Sequence, residues 1–305
     1  MTRVKSFICF LTLTACSAAP TPAKDTITFA ELMDAHQAIM VGEVHGNAQM
    51  PAALSTLVKE ASATGKQIVV ALEYDRTWQA DLDAYLSAPL VSGEVPLHTR
   101  RTGDGRTSAA MRMMLSDLKR LIKASSNLHV RAVDLPESEW RFGEDDTAEG
   151  LPPAPDWLPE EINLAKNHRD IEMGRAAVQA CEQVSCDLLI YYAGSTHTRS
   201  KISDSQLLNV ESGKITSFRA IPAGAIIARN MKATGLYLSH RGGVIEAITG
   251  NRTASPGLRK STTPDFATED GVIYRNMNPE AFHAYIMSVG ELTSSSDPLT
   301  NHQPE

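Results

Sequence analysis

Apolar runs of strand length alternate along the chain with segments whose apolar residues recur at helical spacing. The runs predicted to be strands are residues 38–44, 67–72, 128–133, 187–193 and, more weakly, 215–221. The segments predicted to be amphipathic helices are residues 51–61, 78–86 and 111–122. This alternation predicts an α/β fold with a central sheet, mainly parallel or mixed, that helices flank on both faces.

The pattern weakens after residue 225. An Asn-Pro-Glu start at Asn278, followed by apolar residues on one helical face, predicts a last helix there. The expected organisation is an α/β domain at 29–230, a C-terminal extension at 231–290 and a disordered tail at 291–305. Whether the extension packs on the main sheet stays open.

Two segments interrupt the alternation. Residues 94–107 carry His98 and Arg106 among glycines, and residues 136–160 are acidic and rich in proline. Both exceed the two to six residues that a strand–helix connection needs, so they are either loops near a site or solvated surface loops.

The first residues are typical of an export signal. Arg3 and Lys5 precede an apolar stretch at 7–13, and residues 13–16 (LTAC) resemble a bacterial lipobox. We expect a signal peptide at 1–15, lipid attachment to Cys16 and a tether at 16–28, which places the protein on the cell envelope, at the outer membrane. A plain secretory signal is the alternative. No later stretch approaches 18 apolar residues.

The net charge and the cysteine content limit which classes of partner and cofactor are expected. Removal of residues 1–15 leaves 27 Lys and Arg against 36 Asp and Glu, a net charge of −9, which argues against a nucleic-acid partner. The mature chain then holds Cys181 and Cys186 besides Cys16. A disulfide that closes this six-residue loop contributes about 2 kcal/mol. A zinc half-site is the alternative, but a second cysteine pair is lacking.

Polar side chains follow three of the predicted strands at the point where each strand ends. Glu43 and His45 follow the first strand, Glu73 the second, and His197 the run that ends at Gly194. Because parallel strands end at the same edge of a sheet, we expect these side chains to share one pocket.

This cluster is compatible with two chemistries. A histidine beside a carboxylate serves as a general base, and the same four groups are suitable ligands for a divalent metal. The structural alternative is that Glu43 and Glu73 stabilise helix N-termini.

Arg169 and Asp170 lie early in a predicted helix before the fourth strand. Arg169 is suited to fix a carboxylate or an oxyanion in the site, and it equally fits a surface ion pair.

With these residues assembled, the chain resembles the ChaN-like haem-binding uptake lipoproteins of the Tiki superfamily. The matching segments are 41–45 (VGEVH), 71–73 (ALE), 81–86 (DLDAYL), 170–173 (DIEM) and 193–197 (AGSTH). The resemblance spans about residues 36–230 and extends to the erythromycin esterases and the Tiki metalloproteases. It implies an α/β fold, a role in iron or haem acquisition, and a site at Glu43, His45, Glu73 and His197. Arg169 departs from it, because ChaN-like chains carry an aromatic residue there.

Three hypotheses about function follow. The first is a lipid-anchored envelope protein that binds haem or another iron-bearing small molecule, with Tyr74, Tyr192 and His98 as candidate iron ligands. The second is a hydrolase, of esterase or metal-dependent peptidase type, that uses the Glu43/His45/Glu73/His197 cluster. The third is a structural envelope lipoprotein. The sequence leaves the oligomeric state, including a homodimer, open.

Overall fold

The computed structural model describes residues 25–90, 105–141, 149–153, 155–158, 162–208, 215–247, 257–261, 269–278 and 280–295. The strands are β1 (Thr26–Ile27), β2 (Ala38–Glu43), β3 (Ile68–Asp75), β4 (Leu128–Asp134), β5 (Leu188–Gly194), β6 (Ser203–Leu208), β7 (Ile215–Ala220), β8 (Ala233–Ser239), β9 (Gly243–Ala247), β10 (Gly257–Ser261), β11 (Ile273–Arg275) and β12 (Tyr285–Ser288). The α-helices are α1 (Phe29–Ala35), α2 (Gln49–Ser62), α3 (Gln79–Ser87), α4 (Ala109–Ala124), α5 (Leu164–Val184) and α6 (Ala223–Asn230).

Eight of these strands form one mixed sheet in the order β1-β11-β12-β8-β2-β5-β3-β4. The six strands from β12 to β4 run parallel, whereas β11 is antiparallel to both of its neighbours. Strands β6 and β7 form a separate hairpin, as do β9 and β10. The expected α/β fold with a central, mainly parallel sheet is confirmed.

Alternate residues of the central strands face two separate apolar cores. Ile39 and Val41 of β2 pack with residues of α1, α2, α3 and α4. Ala38 and Met40 of the same strand pack with residues of α5 and α6 on the opposite face. Because both faces of β2 are covered, the strand is apolar along its length until Glu43.

Helix α5 is fixed at both ends. The Asn163 side chain caps its first turn by accepting from the Lys166 backbone N–H at 3.0 Å. The Asn167 amide then donates to Arg219 O at 3.0 Å and accepts from the Ile221 N–H at 2.6 Å, which binds the first turns to the segment before α6. At the other end, Cys181 and Cys186 form a disulfide.

The C-terminal extension is part of the main sheet. Strand β8 pairs with β2 at the centre, and β12 and β11 continue the sheet beyond β8. The expected boundary after residue 230 therefore does not separate two structural units. The helix predicted after Asn278 is wrong: Tyr285–Ser288 form β12, because pairing with β8 buries all four residues between the layers.

The start of the expected tail is also ordered. Thr293 O accepts from the Ala48 N–H at 3.0 Å, and the Ser295 N–H donates to Gly46 O at 3.2 Å. Leu292 is buried in the core. Residues 291–295 are therefore ordered, and the expectation of a disordered tail is wrong for them. The rest of the expected tail lies outside the described residues.

In the described parts of the chain, none of the helices combines the length and the apolar character that crossing a membrane requires. The expected signal peptide, Cys16 and most of the tether lie outside the described residues. His98 lies outside them as well.

Candidate active site

Ionisable side chains converge where four adjacent parallel strands end. Glu43 is the last residue of β2 and is level with Gly194, the last residue of β5. Glu73 lies near the end of β3, and Asp134 is the last residue of β4. The parallel order β2-β5-β3-β4 places these strand ends at one edge of the sheet, which is where open α/β sheets bind ligands.

Glu43 and His45 form the first carboxylate–imidazole pair. The His45 Nδ1 atom lies 2.6 Å from Glu43 Oε1. The buried Tyr192 hydroxyl donates to Glu43 Oε2, so both carboxylate oxygens are occupied and the carboxylate cannot rotate freely. Gly46 follows with φ of 83°, a conformation that glycine adopts without strain. The chain therefore turns sharply after His45 and leaves the other edge of the ring, Nε2, towards the interior of the site.

Glu73 lies between two histidines. Its Oε2 atom accepts from the Gly194 N–H at 2.8 Å and lies 3.4 Å from His45 Nε2. Its Oε1 atom lies 3.7 Å from His197 Nε2. Glu73 therefore connects the strand-end histidines that the sequence placed in one pocket.

Arg169 is buried in the site and is not a surface ion pair. Its Nε and Nη2 atoms donate to the two oxygens of Asp134 at 2.8 and 2.6 Å, a bidentate contact. Nη2 also donates to Glu73 Oε1 at 2.6 Å. The Trp140 ring covers the guanidinium, with its centroid 4.2 Å from Cζ. Arg169 therefore fixes two carboxylates of the chain itself, those of Asp134 and Glu73.

Asp170 and His197 form the second pair. His197 Nδ1 lies 2.8 Å from Asp170 Oδ1, which also accepts from the Ala223 N–H at 3.0 Å. The next residue, Gly224, donates its N–H to His197 O at 2.8 Å. Helices α5 and α6 therefore position both the ring and the backbone of His197.

Three site residues were missed by the sequence analysis. Asp134 follows an apolar strand just as Glu73 does, and that signal could have identified it. Arg106 donates to Asp134 Oδ2 at 3.1 Å and to Glu73 Oε1 at 3.3 Å. Arg106 and Trp140 come from the two long segments, so parts of these segments do lie against the site. No local pattern distinguished these two residues from other loop residues.

The carboxylates of the site raise the pKa of both histidines above its usual value. Burial lowers the pKa of His45, but the Glu43 and Glu73 carboxylates outweigh it and raise the pKa to about 10. Burial also acts to lower the pKa of His197, but the Asp170 and Glu73 carboxylates outweigh it, so this pKa is raised as well. Although burial acts to raise the pKa of Glu73, the His197 and His45 rings hold it well below its usual value.

Both imidazoles lie close to Gly194. A Cβ atom on Gly194 would lie 3.2 Å from His45 Nε2 and 3.5 Å from His197 Cδ2. The side chains of His45 and His197 are 23% and 18% exposed, whereas Glu43 and Glu73 are 4% and 5% exposed. An incoming molecule therefore meets the histidine rings before the carboxylates.

The expected metal site is not formed by the residues described. Across those ranges, no group of three or more His, Cys, Asp or Glu side chains has an arrangement suited to a metal ion. The physical reason is that the guanidinium groups of Arg169 and Arg106 already neutralise Glu73. A cation in that position opposes the approach of a divalent ion.

The tyrosines considered as haem ligands face the core. Tyr74 and Tyr192 are 2% and 1% exposed, and the Tyr192 hydroxyl is bound to Glu43. Burial raises the pKa of Tyr192 well above its usual value, as does the adjacent Glu43 carboxylate. Neither hydroxyl is therefore presented to a haem iron in this structure.

Comparison with known proteins identifies the fold. No protein-family model matches the chain, and no curated protein matches it in sequence. Among solved structures, a variant of erythromycin esterase EreC in its open conformation matches with a TM-score of 0.59 and 11% identity, over 88% of this chain and 94% of that one. A protein of Bacillus cereus also matches with a TM-score of 0.59 and 11% identity, over 91% and 94%.

The haem-binding protein ChaN of Campylobacter jejuni matches with 14% identity over 76% of this chain and 90% of that one. Its TM-score of 0.39 adds no support for haem binding here. The matches to EreC and to the Bacillus protein show that this chain has the α/β fold of erythromycin-esterase-like proteins. The fold implied by the sequence resemblance is confirmed at this level, and identities this low show the fold alone.

Proposed function

We propose that the protein is a hydrolase that cleaves a carboxylic ester with water, and that His45 is its general base. The observation that carries this proposal is the Glu43–His45 pair: Glu43 holds Nδ1 at 2.6 Å, and Nε2 lies 3.4 Å from Glu73 Oε2 and close to Gly194. A carboxylate that orients an imidazole in this way fixes which nitrogen exchanges the reacting proton.

The chemistry follows from that geometry. A water beside His45 Nε2 attacks the ester carbonyl carbon, and the neutral imidazole takes the proton that the water loses. The imidazolium then gives this proton to the leaving alkoxide, so that ester and water become acid and alcohol. We propose that His197, whose Nδ1 atom lies 2.8 Å from Asp170 Oδ1, donates from Nε2 to the oxyanion that forms in between.

The test is hydrolysis by the full chain of p-nitrophenyl acetate and, because EreC is an erythromycin esterase, of erythromycin. His45→Asn keeps an N–H for Glu43 and removes Nε2, so we expect kcat/KM to fall by about 10²- to 10⁴-fold. His129→Asn, at the opposite end of β4, is the matched control and should retain activity. Wild-type rates in His45→Asn would contradict the proposal.

The pH dependence offers a second test. Only neutral His45 accepts a proton, and its pKa is raised to about 10. After subtraction of the uncatalysed rate, kcat/KM should rise about tenfold per pH unit from pH 7 and level off near pH 10. A rate that falls over this range would show that the imidazolium is the reactive form. Haem titration monitored at the Soret band tests the competing hypothesis, and we expect no saturable change.

We propose in addition that the protein acts at the cell envelope, anchored through Cys16. The support is the LTAC tetrad at residues 13–16. Cells grown with a fatty-acid analogue should label the wild type and not Cys16→Ser. Equal labelling of both would contradict the anchor without affecting the proposed reaction.

A further inference from the structure

The chain segment before β12 binds the turn that carries His197. Phe282 O accepts from the Ser200 N–H at 3.2 Å and from the Ser200 hydroxyl at 3.1 Å. The Arg199 guanidinium lies 4.6 Å from the centre of the Phe282 ring. His283 Nε2 lies 2.8 Å from Thr198 Oγ1. Three consecutive residues after His197 are therefore held by two residues of the C-terminal region.

Two glycines make room for the His283 ring on the sheet. A Cβ atom on Gly42 of β2 would lie 2.4 Å from Thr198 Oγ1 and 3.1 Å from His283 Nε2. A Cβ atom on Gly235 of β8 would lie 3.0 Å from His283 Cδ2. Any larger residue at either position would displace the imidazole. The ring is thus enclosed by the backbone of two central strands and by Thr198, and its contact with Thr198 has little freedom to change.

The Thr198 hydroxyl has two partners. It lies 2.8 Å from His283 Nε2 and 3.3 Å from Ser195 O, and either contact can carry its one proton. Burial and the nearby Arg199 lower the pKa of His283 to about 4, so the ring stays neutral at physiological pH. The Thr198 hydroxyl thus lies between His283 and Ser195 O, at the end of the turn from Ser195 to Thr198 around His197.

We propose that His283 is a positioning residue for the hydrolytic site: through Thr198 it fixes the turn that presents His197 beside Glu73. The proposal rests on the proposed function for the reaction it serves, but the placement of His197 is observable without any reaction. Asp170 holds the His197 ring, and His283 holds the turn that follows His197 through Thr198, so loss of His283 should displace the ring while Asp170 remains bound.

The experiment removes the contact from either side in the full chain. Thr198→Val keeps the shape and deletes the hydroxyl, and His283→Leu deletes the ring. Both should lower kcat for p-nitrophenyl acetate by about 10- to 100-fold with little change in KM, because a displaced donor weakens the transition state more than binding. Adding His283→Leu to Thr198→Val should slow the reaction little further, since the contact between the two side chains is already lost with the Thr198 hydroxyl.

His283→Gln tests the contact itself. The Gln side-chain amide can donate to Thr198 Oγ1 or accept from it, and we expect kcat to return to within about threefold of the wild type. His129→Asn is again the control with unchanged activity. If His283→Leu does not fold, Thr198→Val, which removes one hydroxyl at a fully buried position, carries the test alone.

A readout without activity separates this proposal from the proposed function. The NMR resonances of the His197 ring should shift in Thr198→Val and return in Thr198→Ser, whatever the protein hydrolyses. Unchanged His197 resonances together with wild-type kcat in Thr198→Val would overturn the positioning role. If the wild type hydrolyses neither ester but the resonances shift, the proposed function fails and the placement of His197 by His283 stands.

Discussion

The two histidine pairs face the same carboxylate but are assembled differently. Glu43 and His45 are two residues apart, and their contact is made within one strand end. Asp170 and His197 are 27 residues apart, and their contact depends on helix α5, helix α6 and the C-terminal region. The partners of the first pair are close along the chain, whereas those of the second come together only in the folded domain. We therefore expect distant substitutions to affect His197 far more than His45.

The charges around the two rings differ in the same way. Each nitrogen of His45 faces a carboxylate, that of Glu43 or of Glu73. His197 also faces a cation, because Arg169 Nη1 lies 3.3 Å from Nε2. Arg169 thus opposes protonation of His197. The two rings therefore titrate in different surroundings.

The largest effect is expected from Arg169, which connects Glu73 to Asp134. Arg169→Met leaves these buried carboxylates with less positive charge and should lower the free energy of unfolding by about 3–5 kcal/mol in urea titrations. Arg175→Met, on the same helix but paired with Glu172 in a partly exposed contact, should cost less than about 1 kcal/mol. Similar losses in both variants would refute the central role given to Arg169.

The second effect is a loss of stability at alkaline pH that depends on His45. Its pKa is about 10 when folded against 6.5 when unfolded, so the folded state binds the proton more tightly. The resulting stability is fully present below about pH 6.5 and is lost as the pH rises towards 10. We expect a loss of about 2–4 kcal/mol between pH 6 and 10 that is absent in His45→Asn. Parallel curves for the two proteins would contradict the charged environment described for His45.

Removing one carboxylate at a time sharpens the contrast between the pairs. Glu43→Gln should lower the pKa of His45 by about one to two units and leave that of His197 nearly unchanged. Asp170→Asn should do the reverse. NMR titration of the two rings measures both values in each variant. A shift of both pKa values in either variant would mean that the two pairs titrate as one unit through Glu73.

The smallest effect is expected from a substitution at Gly194, which lies close to both rings. In Gly194→Ala the new methyl group would lie 3.2 Å from His45 Nε2, where the attacking water is proposed to bind. We expect kcat/KM to fall by about tenfold, while the unfolding midpoint moves by only a few degrees. Unimpaired hydrolysis in this variant would place the water elsewhere.

The sequence predicted the part of the site that depends on local order. Glu43, His45 and Glu73 stand at the ends of apolar strands, and the parallel order of those strands brings them together. The role of Arg169 could not be settled from sequence, because Arg169 lies on α5 and its partner Asp134 ends β4, 35 residues away. Trp140 and Arg106 depend on the folding of long loops, for which periodicity gives no signal.

Contacts between distant residues also explain why the helix predicted near the C-terminus is wrong. Residues 282–289 have apolar positions at helical spacing, but a short run that is buried on both faces fits a strand equally well. What decided the outcome was the exposed edge of β8, with which β12 pairs in parallel. The site of the His283 ring likewise depends on Gly42 and Gly235, which are adjacent only in the folded sheet.

The disulfide between Cys181 and Cys186 has a consequence for the distant His197. It joins the end of α5 to the start of β5, while Asp170 and His197 join the opposite ends of the same two segments. The two segments are therefore joined at both ends, by a covalent bond at one end and by a hydrogen bond at the other. Because the bridge keeps the segments together, it raises the effective concentration of Asp170 near His197. Reduction should therefore weaken the second histidine pair and spare the first.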